Sequence, residues 1–230
     1  MKNKILFYIL IVLSIYSCDL KPKNNTEPKV ENITISKSDS TDNNTRINRI
    51  SSYKSRIDSI NQSFQWKELK CGLWLSKNND LGFKTTAGNE QGIFITKYIT
   101  DLWNSDSPIK LNSVIDTLTF NYLGSSFYKD KNNIYTHYSM ADGGFFKIVE
   151  NADHRTFKII GDCYAKDKNH IFGERKMILD SVDYKTFKTK KGIGCYAKDK
   201  NGYYFWDNKL DEEDINDTEI METITALKKL

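Results

Sequence analysis

The sequence predicts an all-β, mainly antiparallel domain of repeated β-hairpins with short helices at its N- and C-terminal flanks. Three observations carry this. One pattern, Asp-x-x-Thr-Phe followed by Lys-Asp-Lys-Asn, recurs three times between residues 116 and 206. Short β-branched and aromatic runs alternate with Asn- and Gly-rich turns from Phe64 onward. Helical periodicity is confined to the two ends.

The first segment is a leader. Lys2 and Lys4 precede an apolar run from Ile5 to Leu13, then Ile15-Tyr16-Ser17-Cys18. This order reads as a secretory signal peptide over residues 1–17. The run is shorter than the roughly 20 residues a membrane span needs. Its last four residues resemble a bacterial lipobox, which implies a lipid on Cys18 and cleavage before it. The expected partner is therefore a membrane, reached through that lipid, and the expected location is the bacterial cell envelope. The formal charge is +4, of which Lys2 and Lys4 supply two, leaving +2. So nearly neutral a chain gives no support for nucleic-acid binding.

Residues 18–44 are polar, with Pro22 and Pro28, and read as a flexible tether. Over residues 45–63, Ile47, Ile50, Tyr53, Ile57 and Ile60 recur at spacings of three and four, predicting an amphipathic helix packed on its own domain. A β-rich repeat domain then spans 64–210. Gly72-Leu73-Trp74-Leu75 and Leu81-Gly82-Phe83-Lys84 flank the turn Ser76–Asp80, and Ile93–Ile99 reads as a further strand. In the C-terminal segment, 211–230, Asn216 and Glu219 resemble a capping box, and Ile220, Ile224 and Leu227 share a helical face.

The repeat itself is the main signal. Its openers are Asp116-Thr119-Phe120, Asp153-Thr156-Phe157 and Asp183-Thr186-Phe187. Its turns contain Asp130, Asp167 and Asp199, which follow the opening aspartates by 14, 14 and 16 residues. The opening Asp can accept N–H groups two and three residues on. The Phe enters the core, and Asp-Lys-Asn suits a type I turn. The next residue, Asn133, His170 or Gly202, is then predicted at positive φ, as in a common hairpin connection.

The full run Asp199-Lys200-Asn201-Gly202-Tyr203-Tyr204, with its Asp-x-x-Thr-Phe partner, resembles the DKNYY family of bacterial proteins. The likeness covers about residues 70–206; the second copy departs, with Ile171-Phe172, and the first has Ile134-Tyr135. The resemblance implies repeated β-hairpins, often in exported proteins, and carries no catalytic residues.

Cys163 and Cys195 each stand four residues before the turn Asp, and Ser126 holds that place in the first copy. If equivalent strands lie side by side, these cysteines can form a disulfide. If other strands intervene, they are small core residues. Cys71 lies outside the repeats and is expected to be unpaired.

Catalytic chemistry finds little support. Lys follows each turn Asp, and calcium loops need clustered acidic ligands. His137, His154 and His170 lack metal-ligand spacing, and no metal or cofactor is expected. No nucleophile elbow or phosphate-binding glycine loop is present, and Asp142-Gly143-Gly144 reads as a turn. Tyr203-Tyr204-Phe205-Trp206 reads as a buried strand, the alternative being a stacking platform. The expectation is a membrane-anchored envelope lipoprotein acting as a non-enzymatic module that binds a protein or a cell-wall component. The alternative is an envelope hydrolase with a loop-assembled site.

Overall fold

The computed structural model describes residues 40–88, 94–103 and 107–230. The leader, Cys18, most of the tether and Ile93 lie outside the described residues. Helix α1, Ser40–Phe64, begins five residues earlier than the periodicity indicated. It packs on β4, and the Asn61 side-chain amide donates to Thr96 O at 2.8 Å. Tyr53 and Ile60 on its expected apolar face stay largely exposed.

The strands form four successive antiparallel meanders. The first contains β1 (Lys67–Lys70), β2 (Leu73–Leu75), β3 (Leu81–Gly88) and β4 (Phe94–Ile99). A ribbon of β5 (Asp101–Leu102) and β6 (Ile109–Lys110) follows. The second meander holds β7 (Asn121–Gly124), β8 (Phe127–Lys129), β9 (Ile134–Tyr138) and β10 (Phe145–Ile148). The third holds β11 (Lys158–Ile159), β12 (Tyr164–Lys166), β13 (Ile171–Gly173) and β14 (Met177–Ile178). The fourth has β15 (Tyr196–Asp199), β16 (Gly202–Phe205) and β17 (Asn208–Lys209).

Neighbouring meanders pack face to face, and strand periodicity of two explains how one strand serves two cores. In β8 and β9, Tyr128 and Tyr135 point to a layer shared with Leu73, Leu81 and Phe83 of the first meander. Their neighbours Phe127 and Ile134 point to a layer shared with Ala165 and Phe172 of the third. Tyr164 and Ile171 then face a layer holding Phe187 and Ala197. Because both faces of the middle meanders are covered, Ile134-Tyr135-Thr136 and Ile171-Phe172-Gly173 are buried without a break.

The repeat motif ties a knot in each copy. Asp130 Oδ1 accepts the N–H groups of Asn132 and Asn133, both at 2.8 Å, and Asp130 N–H donates to Asn133 O. The carboxylate thus takes the N–H that a backbone carbonyl would accept in a tight hairpin. This corrects the turn assignment: φ is positive only at Gly202 (145°), not at Asn133 or His170. With the side chain closing the turn, a left-handed residue is unnecessary.

The same carboxylate reaches back to its opener. The N–H groups of Asp116, Asp153 and Asp183 donate to Oδ2 of Asp130, Asp167 and Asp199 at 2.8, 2.8 and 2.6 Å. The Thr hydroxyls of the openers accept the N–H of Lys131, Lys168 and Lys200 at 2.9, 3.0 and 3.0 Å. Those lysines pair with Asp116, Asp153 and Asp183 at 2.5, 2.7 and 2.8 Å. The β2–β3 turn of the first meander is also closed by a side chain. Ser76 Oγ there accepts the N–H of Asn78 and Asp80 at 3.1 and 3.0 Å, in place of the aspartate.

Cys163 and Cys195 are joined, with Cα atoms 5.0 Å apart. They meet across two stacked meanders rather than on hydrogen-bonded strands, so the side-by-side premise does not hold. Cys71 is not free. The C-terminal segment is split into α2 (Glu212–Ile215) and α3 (Met221–Lys228). The capping box is Asp211 with Asp214, at the N-terminus of α2. Asn216 instead ends α2, and α3 starts at Ile220 without a side-chain cap. Ile224 and Leu227 are buried as their spacing indicated.

Candidate functional site

The aspartates singled out by the repeat are consumed by structure. Asp130 and Asp167 are almost fully buried, at 2% and 3% exposure. Burial would raise the Asp167 pKa, but N–H groups from Asp153, Asn169 and His170 outweigh it and hold the carboxyl below its ordinary range. The Lys131 ammonium lowers Asp116. Lys168, then Thr156, lowers Asp153. Lys200, then Thr186, lowers Asp183 to about 2. All four carboxylates are locked as anions in turns, which suits scaffolding and not proton transfer.

The second tyrosine of the motif completes the knot. Tyr135 Oη donates to Asp130 Oδ2 at 2.8 Å, and Tyr204 Oη to the Asp199 carboxylate at 3.1 Å. Burial and Asp199 push the Tyr204 phenol up to about 12. Phe172 occupies the equivalent place in the middle copy. Tyr204 is buried, whereas Phe205 and Trp206 are half-buried; Phe205 stacks on Tyr196 at 4.6 Å.

His154, which the sequence placed only in a turn, joins adjacent copies. Its Nε2 meets Asp130 O at 2.6 Å, and Tyr184, at the same place in the next copy, donates to Asp167 O at 2.7 Å. His137 is mostly enclosed, its ring against Phe83 and its Nε2 3.3 Å from Gly143 O, and burial lowers its pKa. The one group of metal-type ligands found among the described residues is Cys163, Glu174 and Cys195. Both sulfurs there are spent on the disulfide. The Glu174 carboxylate accepts from Ser126 Oγ and, at 3.2 Å, from Trp206 Nε1.

The feature that the repeat does not absorb is a cleft of about 520 Å³. It opens where the β5–β6 ribbon, the β10 edge and β14 meet, and is lined by Trp103, Lys147, Glu150, Asn151, Lys176, Met177 and Asp180, among others. Its size is in the range of small-ligand sites. Trp103 N–H donates to Phe146 O at 2.8 Å, which holds that residue along the β10 edge. Its side chain is 68% exposed, and the ring lies 5.5 Å from that of Phe145. Phe145 and Lys147 alternate with the buried Phe146, so they share one face of β10. Lys147 Nζ sits 4.8 Å from the Phe145 ring centre. Asn151 and Met177 both have φ of 60°, a region that Asn tolerates and Met does not favour.

None of the cleft residues was singled out from the sequence. Trp103 stands outside the repeats, and nothing in its local pattern separates it from a core aromatic. Compared with known proteins, the chain matches the model of the DKNYY family over residues 14–176 and again over 127–229. No curated protein and no solved structure matches it.

Proposed function

The chain belongs to the DKNYY family, and on that footing we propose that it is a non-enzymatic binding module of the bacterial envelope, anchored through a lipid on Cys18. The observation that carries the binding role is the cleft beside the exposed Trp103. The Trp103 and Phe145 rings stand 5.5 Å apart beside a concave surface that also carries charged groups, the combination expected of a ligand site. The carboxylates with lowered pKa values are occupied in turns, which leaves the repeat stack as a rigid frame for this surface.

The anchor follows from Lys2, Lys4, the apolar run and Cys18. Cys18→Ser is expected to abolish incorporation of labelled fatty acid; a variant that still carries the label overturns the anchor. The binding role is tested with the full chain and purified envelope fractions. Trp103→Ala, at an exposed position, is expected to fold normally and to lose about tenfold or more in retention, about 1.4 kcal/mol or more. Equal retention of both proteins counts against the cleft.

A second reading, an envelope hydrolase, draws on Glu150 and Asp180, two carboxylates lining the same cleft. Time-dependent release of soluble fragments from the envelope fraction, lost in Glu150→Gln or Asp180→Asn, would favour it.

A further inference from the structure

The cleft has a chemical bias that narrows its occupant. Two cations, Lys147 and Lys176, and two anions, Glu150 and Asp180, line it. Lys176, Glu150 and Asp180 are exposed, so water serves them well. Lys147 is half-buried on β10 and has no ion-pair partner among the described residues. Glu150 acts on it only as a more distant charge, and burial is the larger influence, drawing its pKa down. Of the four charges it therefore gains most from an incoming counter-ion.

The neighbouring surface favours a ring over an extended chain. Trp103, 68% exposed, and Phe145 set two aromatic faces 5.5 Å apart beside Lys147. An exposed indole suits stacking against the apolar face of a flat or cyclic body. A peptide that added itself as a strand would need free backbone groups on the edge. Phe146 O on the β10 edge already accepts the Trp103 N–H.

We propose that the cleft binds a carboxylate-bearing saccharide, its ring stacked on Trp103 and its carboxylate seated on Lys147 with Lys176 beside it. The proposal rests on the binding reading of the cleft given above and adds the ligand class. The carboxylate would replace water around a partly desolvated ammonium, forming a charge-assisted hydrogen bond. Glu150 and Asp180 would disfavour ligands carrying more than one or two negative charges.

A matched pair of sugars separates the two halves of the proposal. The full chain is titrated calorimetrically with the disaccharide N-acetylglucosaminyl-N-acetylmuramic acid and with neutral chitobiose, which lacks the carboxylate. A short acidic peptide, Ala-Glu, is the third probe. The acidic disaccharide is expected to bind about tenfold more tightly than chitobiose. Lys147→Met keeps the side-chain stem and is expected to abolish that difference. Trp103→Ala is expected to weaken both sugars by about tenfold or more. Equal affinity for both sugars in the unmodified protein overturns the carboxylate seat and leaves the cleft as a binding site. Preference for the peptide, or no saccharide binding alongside Trp103-dependent retention of envelope material, overturns the saccharide class alone. Binding of every probe and of envelope material that ignores Trp103→Ala overturns the cleft reading itself.

Discussion

At the scale of single residues, one side chain per copy decides how the repeats communicate. Asp130 O and Asp167 O are the backbone acceptors left over when their own carboxylates close the turns. His154 and Tyr184 reach them at 2.6 and 2.7 Å from equivalent places in the following copies. A histidine and a tyrosine do the same work because only a donor at the end of a flat ring is needed. His154→Ala is expected to lower stability by about 1 kcal/mol or more, since a part-buried carbonyl loses its partner. His154→Tyr is expected to recover most of that loss. Urea denaturation of the three proteins measures it, and a tyrosine variant no better than alanine would sink the equivalence. No property of His154 in the sequence announced this role, because its partner lies 24 residues away.

Elements show where local signals suffice and where they fail. Asp-Lys-Asn identified every repeat turn, and the alternation around Phe157-Lys158-Ile159 identified strands, because both depend on neighbours in sequence. Turn closure by the Asp130 carboxylate in place of a left-handed Asn133 was not legible, since several backbone solutions share one residue pattern. The Ser76 closure was not legible because that turn carries neither Asp-Lys-Asn nor an Asp-x-x-Thr-Phe opener. The capping box at Asp211 was missed because Asn216 and Glu219 imitate one five residues later. The bridge between Cys163 and Cys195 joins the third and fourth meanders just ahead of β12 and β15. It closes a loop of about 33 residues, worth about 3.7 kcal/mol in the chain-entropy account. The double variant Cys163→Ser, Cys195→Ser is expected to lose stability on that order. Thermal unfolding with and without reductant tests it: reductant should lower the midpoint of the unmodified protein by more than it lowers that of the double variant. Equal midpoints for all four samples would show that the bridge is not formed.

For the whole molecule, the knots add up to a dependence on acid. Asp116, Asp153, Asp167 and Asp183 have pKa values below their ordinary range in the folded chain. The unfolded chain therefore binds more protons at low pH, and stability falls as pH drops below about 4. His137, whose pKa burial also lowers, adds a gentler loss starting below about pH 6.5. Urea midpoints from pH 7 to pH 2 are expected to decline in these two stages. The double variant Asp153→Asn, Asp183→Asn should start lower and decline less steeply below pH 4. A midpoint that rises on acidification would contradict the electrostatic account. The all-β class and the repeats were readable because they recur. The cleft was not, because Trp103, Lys147 and Lys176 come together only after the ribbon, the second meander and the third have been assembled.

The join made by His154 and Tyr184 has a consequence for how such a chain can grow. The middle copy closes its own turn with Asp167, presents the Asp167 carbonyl to the next copy and the His154 ring to the previous one. Donor and acceptor are of the same kind at both seams. A stretch of coding sequence running from one opener to the next would thus, if duplicated in frame, arrive with both connectors already cut to fit its neighbours.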